Sequence, residues 1–431
     1  MKPGLRPLTV LSLTVLACAT MEAQTISLRH AVELALGRSG QATLAAADQE
    51  KALAAYREAR SAYLPHLVFG SGLGASYGFP LSLENAAPSL FNVSSQQVLY
   101  SPAQTQFVRA ARTAMDVTKS ANADQRDAII QETVVAYIEL SKWSQDGDLL
   151  ARAVANNQKT EKIEEERIAA GVDKPVDLDR AKLATARVEM RIAEAKGSAD
   201  VLRLRLAQLT GLSAEELGTD PDSIPNFPAV PQDDNLANKA VAANPAVKSA
   251  EQQALARQLT AEAEHKALYP AFDIAGQYAV LSNFNNYKTY IKNFQTNNAS
   301  GGLVIRFPFL DTTQRARAAQ AKADFIRASR EAEQAKDKMK LETLRLQRSV
   351  VELEAAVDVA QLEYQLAQTE LSATETRLQS QLGTLREEQE ARSKVEQAYD
   401  SLTDANLTLE KAKIQLLRNT GELEQWALAG S

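Results

Sequence analysis

The sequence has few of the residues that most catalytic and metal sites require. It contains one cysteine, Cys18, and three histidines, His30, His66 and His265, which lie far apart along the 431 residues. A zinc site or a cysteine nucleophile needs such side chains at characteristic spacings. No phosphate-binding loop and no Ser/His/Asp arrangement is evident. We therefore predict no metal, no cofactor and no enzymatic activity.

Aromatic residues and long apolar runs are also scarce, the chain has no net positive charge, and this excludes further classes of protein. Aromatic residues make up 6% of the chain, and the formal net charge is -6, so the composition offers no basic patch for binding nucleic acid. Alanine, glutamate, glutamine, leucine and arginine instead dominate long stretches, and this mixture is typical of long packed helices. Beyond the first 23 residues, no apolar run reaches the roughly 18 residues of a transmembrane helix.

The first 23 residues have the pattern of an export signal. Lys2 and Arg6 precede an apolar segment from Leu8 to Ala17, and Ala17-Cys18-Ala19 provides a small-x-small cleavage site. The tetrapeptide ending at Cys18 also resembles a bacterial lipobox, in which the cysteine would be lipidated. The alternative is that Cys18 is removed with the signal, which leaves a mature chain without a thiol.

The remainder of the chain contains an internal duplication. Residues 34–65 can be aligned with residues 239–270, and "LAQLTG" (206–211) matches "LLRNTG" (416–421). A repeat length near 205 to 210 residues indicates a duplicated domain rather than a solenoid. We predict a first structural repeat over residues 24–217, a proline-rich connector over 218–234 and a second repeat over 235–431.

Both repeats have the same predicted order of elements, in an α+β fold. Two strands, about 67–78 and 90–100 in the first repeat and 272–283 and 301–309 in the second, come before two helices. These helices cover about 104–169 and 176–210, and about 314–381 and 386–425. The longer helix of each repeat would extend roughly 100 Å. Coiled-coil seams predict antiparallel hairpins. One such seam consists of Leu346, Val350, Leu353, Val357, Ala360, Tyr364, Ala367 and Leu371.

The predicted strands have one apolar face, which the polar, alanine-rich helices cannot cover. The alternative is a small soluble sheet at the end of a coiled coil. Lipid would satisfy an apolar face if the sheet closed into a barrel, and four strands are too few for closure. A dimer would supply eight strands and a trimer twelve, and we favour the trimer because its barrel leaves a usable passage. The predicted lipid-facing residues are Phe272, Ile274, Tyr278, Leu303, Ile305 and Phe307.

On that assignment Arg306 faces the lumen, and residues 79–89 and 284–300 form outer loops.

The chain at this point resembles the TolC-type outer-membrane efflux proteins. The resemblance is carried by the duplicated plan, by the strand-to-helix junctions "LYSPAQTQFVRAAR" and "FPFLDTTQRARAAQ", and by the turn "GVDKPVDLDRA". It implies a homotrimer with a twelve-stranded barrel in the bacterial outer membrane and a periplasmic α-helical tunnel. It also implies a periplasmic adaptor and an inner-membrane transporter as partners.

The resemblance further implies a gate at the tips of the helical hairpins. Its candidates are Glu387 and Glu390 in the second repeat, whose turn contains Gly383 and looks about two residues shorter than the first turn. The corresponding residues of the first repeat are Asp177 and Asp179, after a turn containing Gly171 and Pro175. Three copies of these carboxylates would favour cations at a narrow opening. The alternative is that they stabilise helix N-termini through the helix dipole.

Three rival functions share some of these features. A type I secretion duct has the same architecture and differs in its cargo, which the sequence does not identify. A periplasmic adaptor would also have an export signal and a helical hairpin, although two hairpins with their own strand pairs disfavour it. A soluble coiled-coil scaffold is separable by extraction, because alkaline washing should release a scaffold, whereas a membrane barrel should require detergent.

Overall fold

The computed structural model describes residues 24–71, 89–172, 174–231, 233, 235–281 and 295–429. The predicted signal peptide, with Cys18, lies outside the described residues. So do residues 72–78 of the first predicted strand and most of the two predicted outer loops.

The first repeat contains four helices and four strands within its described residues. Its elements are β1 (Gln24–Ile26), α1 (Leu28–Arg38), α2 (Gly40–Ser61), β2 (His66–Gly70), β3 (Ser89–Tyr100), α3 (Pro102–Ala169), α4 (Pro175–Thr210) and β4 (Leu217–Thr219). The connector that follows has a 3-10 turn at Pro221–Ser223 and no other regular structure in its described residues.

The second repeat has the same plan. Its elements are α5 (Leu236–Ala243), α6 (Pro245–Lys266), β5 (Ala271–Leu281), β6 (Asn297–Arg306), α7 (Thr312–Gln379), α8 (Leu385–Thr420) and α9 (Leu423–Leu428). Corresponding helices have equal lengths in the two repeats. These lengths are 22 residues in α2 and α6, 68 in α3 and α7, and 36 in α4 and α8.

Local capping explains where the long helices begin and end. The side chain of Ser101 accepts a hydrogen bond from the backbone N–H of Gln104 at 3.1 Å, and that of Asp311 accepts one from Gln314 at 2.8 Å. Gly211 and Gly421 end α4 and α8 in the left-handed conformation, with φ of 73° and 76°. Helix α8 therefore stops at Thr420, whereas the sequence predicted that it continues to residue 425.

The last predicted strand also differs from the structure. Strand β6 begins at Asn297, inside the predicted outer loop, and ends at Arg306 rather than at residue 309. The chain leaves the sheet there because Pro308 has no N–H for the ladder and because Asp311 already caps α7. The five residues between β6 and α7 replace the single residue between β3 and α3. This difference accounts for most of the change in repeat offset from 205 to 210 residues.

The four longer strands form one antiparallel sheet in the order β2-β3-β5-β6. Strands β3 and β5 pair the two repeats directly, from Ser89 with Leu281 to Tyr100 with Phe272. The helices are arranged in the same order as the strands, because α2 contacts α3, α3 contacts α6, and α6 contacts α7. The sheet and the helical layer below it are therefore two open arrays with matching sequences of elements.

The hydrophobic core lies at the middle of the long helices and not at the sheet. Its buried residues come from α1, α3, α4, α8 and α9 and surround Tyr137, which is fully buried. The Tyr137 hydroxyl donates to the carbonyl of Ile26 at 2.6 Å and accepts from the backbone N–H of Asp220 at 2.8 Å. A second short sheet, with β1 parallel to β4, closes this core.

Away from this core, the helices pack through small residues. The buried positions of α7 include alanines at seven-residue intervals, Ala321 with Ala328 and Ala360 with Ala367. All eight residues of the seam predicted between Leu346 and Leu371 are buried or half-buried. Within the described part of the chain, no helix combines the length and apolar character needed to cross a bilayer.

Candidate functional site: the sheet and the helical tips

The sheet separates apolar and polar residues onto opposite faces. Phe272 pairs with Ile305, Ile274 with Leu303, and Tyr278 with Ala299, so five of the six predicted lipid-facing residues share one face of β5 and β6. Their side chains are exposed in the single chain. The sixth, Phe307, lies after the end of β6, and its facing therefore does not follow from the strand alternation.

The opposite face carries polar side chains at the end of the sheet nearest the helices. Asp273 is completely buried, and its Oδ2 atom accepts hydrogen bonds from Arg306 at 2.7 Å and from Gln96 at 3.1 Å. A groove lined in part by His66, Gln96, Gln277 and Ser300 runs along this face. Arg306 therefore lies on the face opposite to the apolar residues.

Both edges of this sheet are unpaired among the described residues. There, strand β2 pairs only with β3, and every residue of β6 is exposed. An exposed strand edge presents unpaired N–H and C=O groups that favour pairing with another strand. The first and last helices of the matching helical array show the same incompleteness, since α2 buries no residue and α7 leaves Ile326 and Leu341 exposed.

The turns at the two hairpin tips have the same length. Helix α4 begins six residues after the end of α3, and α8 begins six residues after the end of α7. The prediction that the second turn is about two residues shorter was wrong. It arose because Gly383 was aligned with Gly171, whereas the residue with positive φ in the second turn is Gln381. Gly383 instead lies where a Cβ would approach Leu378 N to 3.1 Å.

The equal turn lengths change which residues of the two tips correspond to each other. With an offset of 210 residues, Asp177 corresponds to Glu387, and Arg180 corresponds to Glu390. Pro175 is the first residue of α4, as its fixed φ favours. Asp177 accepts a hydrogen bond from the N–H of Lys174 at 3.4 Å, and Glu387 accepts one from the N–H of Thr384 at 3.3 Å.

The gate candidates therefore have local partners. Asp177 and Glu387 cap their own helices, which is the alternative role that the sequence allowed. Glu390 is 61% exposed and pairs with Arg386 at 2.9 Å, and this hydrogen bond lowers the pKa of Glu390 below its ordinary value. Asp179 is exposed on the first turns of α4. The charge that the tips present is thus partly neutralised by arginines.

Ion pairs join the two hairpins above their tips, and the sequence analysis did not identify them. Lys142 of α3 contacts Asp404 of α8 at 2.6 Å, and Arg191 of α4 contacts Asp400. These side chains border a cleft of about 230 Å³ between α3, α4 and α8. Burial raises the pKa of Asp400 despite its arginine partner. Helical periodicity shows which residues share a face but not which distant helix that face meets.

The described residues contain no metal centre. No three His, Cys, Asp or Glu side chains within them lie close enough to hold an ion. The features that dominate the described structure are an open amphipathic sheet, two long hairpins and free edges on both arrays. Solved structures of outer membrane proteins share this fold.

Three solved outer membrane proteins illustrate the likeness. VceC from Vibrio cholerae has 17% identity and a TM-score of 0.76, with coverage of 91% of this chain and 96% of VceC. The CmeC channel of Campylobacter jejuni has 15% identity and a TM-score of 0.76, covering 98% and 94%. The open state of the MtrE channel of Neisseria gonorrhoeae has 18% identity and a TM-score of 0.75, covering 98% of each chain.

Residues 31–212 match the model of the outer membrane efflux protein family. This match covers most of the first repeat. It agrees with the family that the sequence resembles and with the prediction of an outer membrane efflux protein rather than an enzyme. No curated protein matches the sequence significantly. The predicted location, in the bacterial outer membrane with a periplasmic helical domain, agrees with the family and with the structural relatives.

Proposed function

We propose that three copies of this chain form the outer-membrane exit duct of a tripartite efflux pump. Each chain would contribute four strands to a twelve-stranded barrel and four hairpin helices to a tunnel below it. The substrates would enter the tunnel at the hairpin tips, on the periplasmic side, and leave through the barrel. The observation that carries this proposal is the order of the strands and of the helices.

The strand directions permit closure by repetition. Strands β2, β3, β5 and β6 alternate in direction, so β6 of one copy would lie antiparallel to β2 of the next. The same rotation would bring α7 of one copy beside α2 of the next. One symmetry operation thus supplies partners for both exposed edges, as expected of a closed ring.

Apolar stripes on the long helices fit the same arrangement. Residues on α4 and α7 remain exposed in the single chain at mostly helical spacings. On α4 they include Leu183, Met190, Val201 and Leu204, and on α7 they include Leu344, Val351, Val359, Leu362 and Leu366. Contact between these stripes on neighbouring copies would bury them as coiled-coil seams do.

We place the periplasmic gate at the tip of the second hairpin, with Glu387 and Glu390 as its acidic residues. Asp177 and Asp179 would form the corresponding acidic surface of the first hairpin. The turn at Lys174 and Pro175 would contact the adaptor from outside, and the inner-membrane transporter would select the cargo. Arg377, 3.9 Å from Glu387, and Arg386, 2.9 Å from Glu390, limit the negative charge at the opening.

The deciding experiment is the single-channel current of detergent-purified protein in a planar bilayer. We expect a small, cation-preferring current from the native trimer. The Glu387→Ala/Glu390→Ala variant should conduct more or lose cation preference. A matched control, Glu331→Ala/Glu333→Ala, removes two exposed carboxylates that also pair with arginines, far from the tip.

Each outcome has a distinct meaning. An unchanged current and selectivity in the tip variant would remove Glu387 and Glu390 from the gate and leave the channel intact. The absence of current from folded native trimers, or a mass in detergent other than three chains, would contradict the duct itself. Release of the protein from membranes by alkaline washing would instead support a scaffold.

A further inference from the structure

A polar cluster lies on the polar face of the sheet, opposite to the apolar residues, close to the point where the strands give way to helices. Asp273 is the third residue of β5, Arg306 is the last residue of β6, and Gln96 lies near the end of β3. All three are therefore at the helical end of the sheet. In the proposed barrel this level is the junction between the barrel and the tunnel.

The cluster is organised around one buried carboxylate. Asp273 has no exposed surface, and only its Oδ2 atom has partners, which are Arg306 and Gln96. Its Oδ1 atom is buried without a hydrogen bond among the described residues. A buried carboxylate requires a cation nearby, since the loss of solvent around an unpaired charge is unfavourable. Arg306 supplies that cation.

Arg306 differs from Asp273 in its exposure. Its side chain is 59% exposed on the same polar face, while one of its nitrogen atoms stays 2.7 Å from the carboxylate. The pair is therefore oriented, with the negative end inside the wall and the positive end toward the passage. The hydrogen bond also limits the positions that the guanidinium can adopt.

We propose that Arg306, positioned by Asp273 and Gln96, is a selectivity-determining residue that favours anions at the junction of barrel and tunnel. This inference rests on the proposed trimeric duct, in which three guanidinium groups would face one opening. The positive charge of Arg306 is opposite in sign to the charge of the acidic residues at the tips. Cargo with an anionic group would therefore be hindered at the entrance and favoured at the junction.

The size of the opening makes this effect measurable. Twelve strands about 4.8 Å apart and tilted by about 40° give a wall radius of roughly 12 Å. The arginine side chains point inward, so an ion on the axis lies within about one Debye length of them in 0.1 M salt, where that length is about 10 Å. In 1 M salt the Debye length is about 3 Å, and the preference should disappear.

The test is the reversal potential of single channels in a KCl gradient near 0.1 M. We compare the native protein with Arg306→Gln/Asp273→Asn, which removes the pair without changing the net charge or leaving a buried carboxylate unpaired. We expect the Cl⁻/K⁺ permeability ratio to fall by roughly 1.3- to 2-fold. In each of the three pairs the guanidinium would lie about 10 Å from the axis and its carboxylate about 2 to 3 Å farther out, so the two screened interactions in water cancel only in part. Screening in 1 M KCl should abolish the difference.

The matched control is Arg29→Gln/Glu33→Gln, which removes an exposed ion pair of 3.0 Å on α1, far from the sheet. Its permeability ratio should equal the native value. An equal ratio in the Arg306→Gln/Asp273→Asn trimer, with current present, would overturn the proposed selectivity and leave the duct standing. Absence of current from the native protein would instead be a failure of the proposed duct.

Discussion

Asp127 on α3 allows a test of the packing between the helices at the level of the core. The pKa of this carboxyl is raised from 3.8 to about 6, mainly because the group is buried and also because Glu424 on α9 lies nearby. Asp124 also raises the pKa, while Arg418 and Arg126 lower it. The charged form of Asp127 is therefore unfavourable in the folded protein, and replacing Asp127 by asparagine should remove that penalty.

The sign of the effect follows from proton binding. Because the pKa is higher in the folded state, the folded protein binds more protons than the unfolded chain between pH 4 and pH 6. The free energy of unfolding should therefore fall as the pH rises through this window. The change in pKa corresponds to at most about 3 kcal/mol, and we reduce this to about 1 to 2 kcal/mol because the carboxyl is only half-buried.

The assay is thermal unfolding of the detergent-solubilised protein, followed by circular dichroism at pH 4 and pH 7.5 with one scan rate. For a chain of 431 residues, the Asp127→Asn variant should unfold about 1 to 2 °C higher than the native protein at pH 7.5. At pH 4 the two midpoints should coincide. The control Asp116→Asn makes the same substitution at an exposed position of α3.

The reasoning would be refuted if Asp127→Asn lowered the midpoint at pH 7.5, or if its midpoint kept the native dependence on pH. The first result would mean that Arg126 and Arg418 stabilise the carboxylate by more than its burial costs. The second would mean that other groups carry the pH dependence. Asp146, Glu396 and Asp400, whose pKa values burial also raises, would then be the next to examine.

Two further predictions concern stability. Tyr137→Phe should lower the free energy of unfolding by about 2 to 4 kcal/mol, because Ile26 O and Asp220 N lose a buried partner. The control Tyr63→Phe should lower it by under about 1 kcal/mol, because the Tyr63 hydroxyl bonds an exposed threonine. Equal losses in urea unfolding would refute the buried network. Gly421→Ala should lower the free energy of unfolding more than Gly171→Ala does. Both glycines have positive φ, which costs about 1 kcal/mol in alanine. Of the two, only residue 421 would place a Cβ against a neighbour, Ala243, at 3.3 Å. Equal midpoint shifts would show that this contact relaxes freely.

Much of the architecture followed from local patterns. The alternation of Phe272, Ile274 and Tyr278 indicated a strand with one apolar face, and the structure places these residues on one face. The periodicity between Leu346 and Leu371 indicated a seam, which the structure buries. Such patterns are readable because side-chain direction repeats every two residues in a strand and every 3.6 in a helix.

The tips show where local patterns were insufficient. A glycine in a turn suggested the residue with positive φ, and this aligned Gly383 with Gly171. In the structure Gln381 has the positive φ. Gly383 instead lies so close to the end of the preceding helix that a Cβ would approach its backbone. Both needs favour glycine, so the sequence alone did not distinguish a conformational requirement from a steric one.

The amino-acid sequence by itself determined the duplication, the long helices, the amphipathic strands and the absence of an apolar helix for crossing a membrane. Only the tertiary structure decided which strands are neighbours and which charges meet. Arg306 and Asp273 are 33 residues apart and pair because β5 and β6 are in register. Lys142 and Asp404 lie on different repeats and pair because α8 packs beside α3. Local periodicity sets the face on which a side chain lies, whereas its partner depends on which distant segment folds against that face.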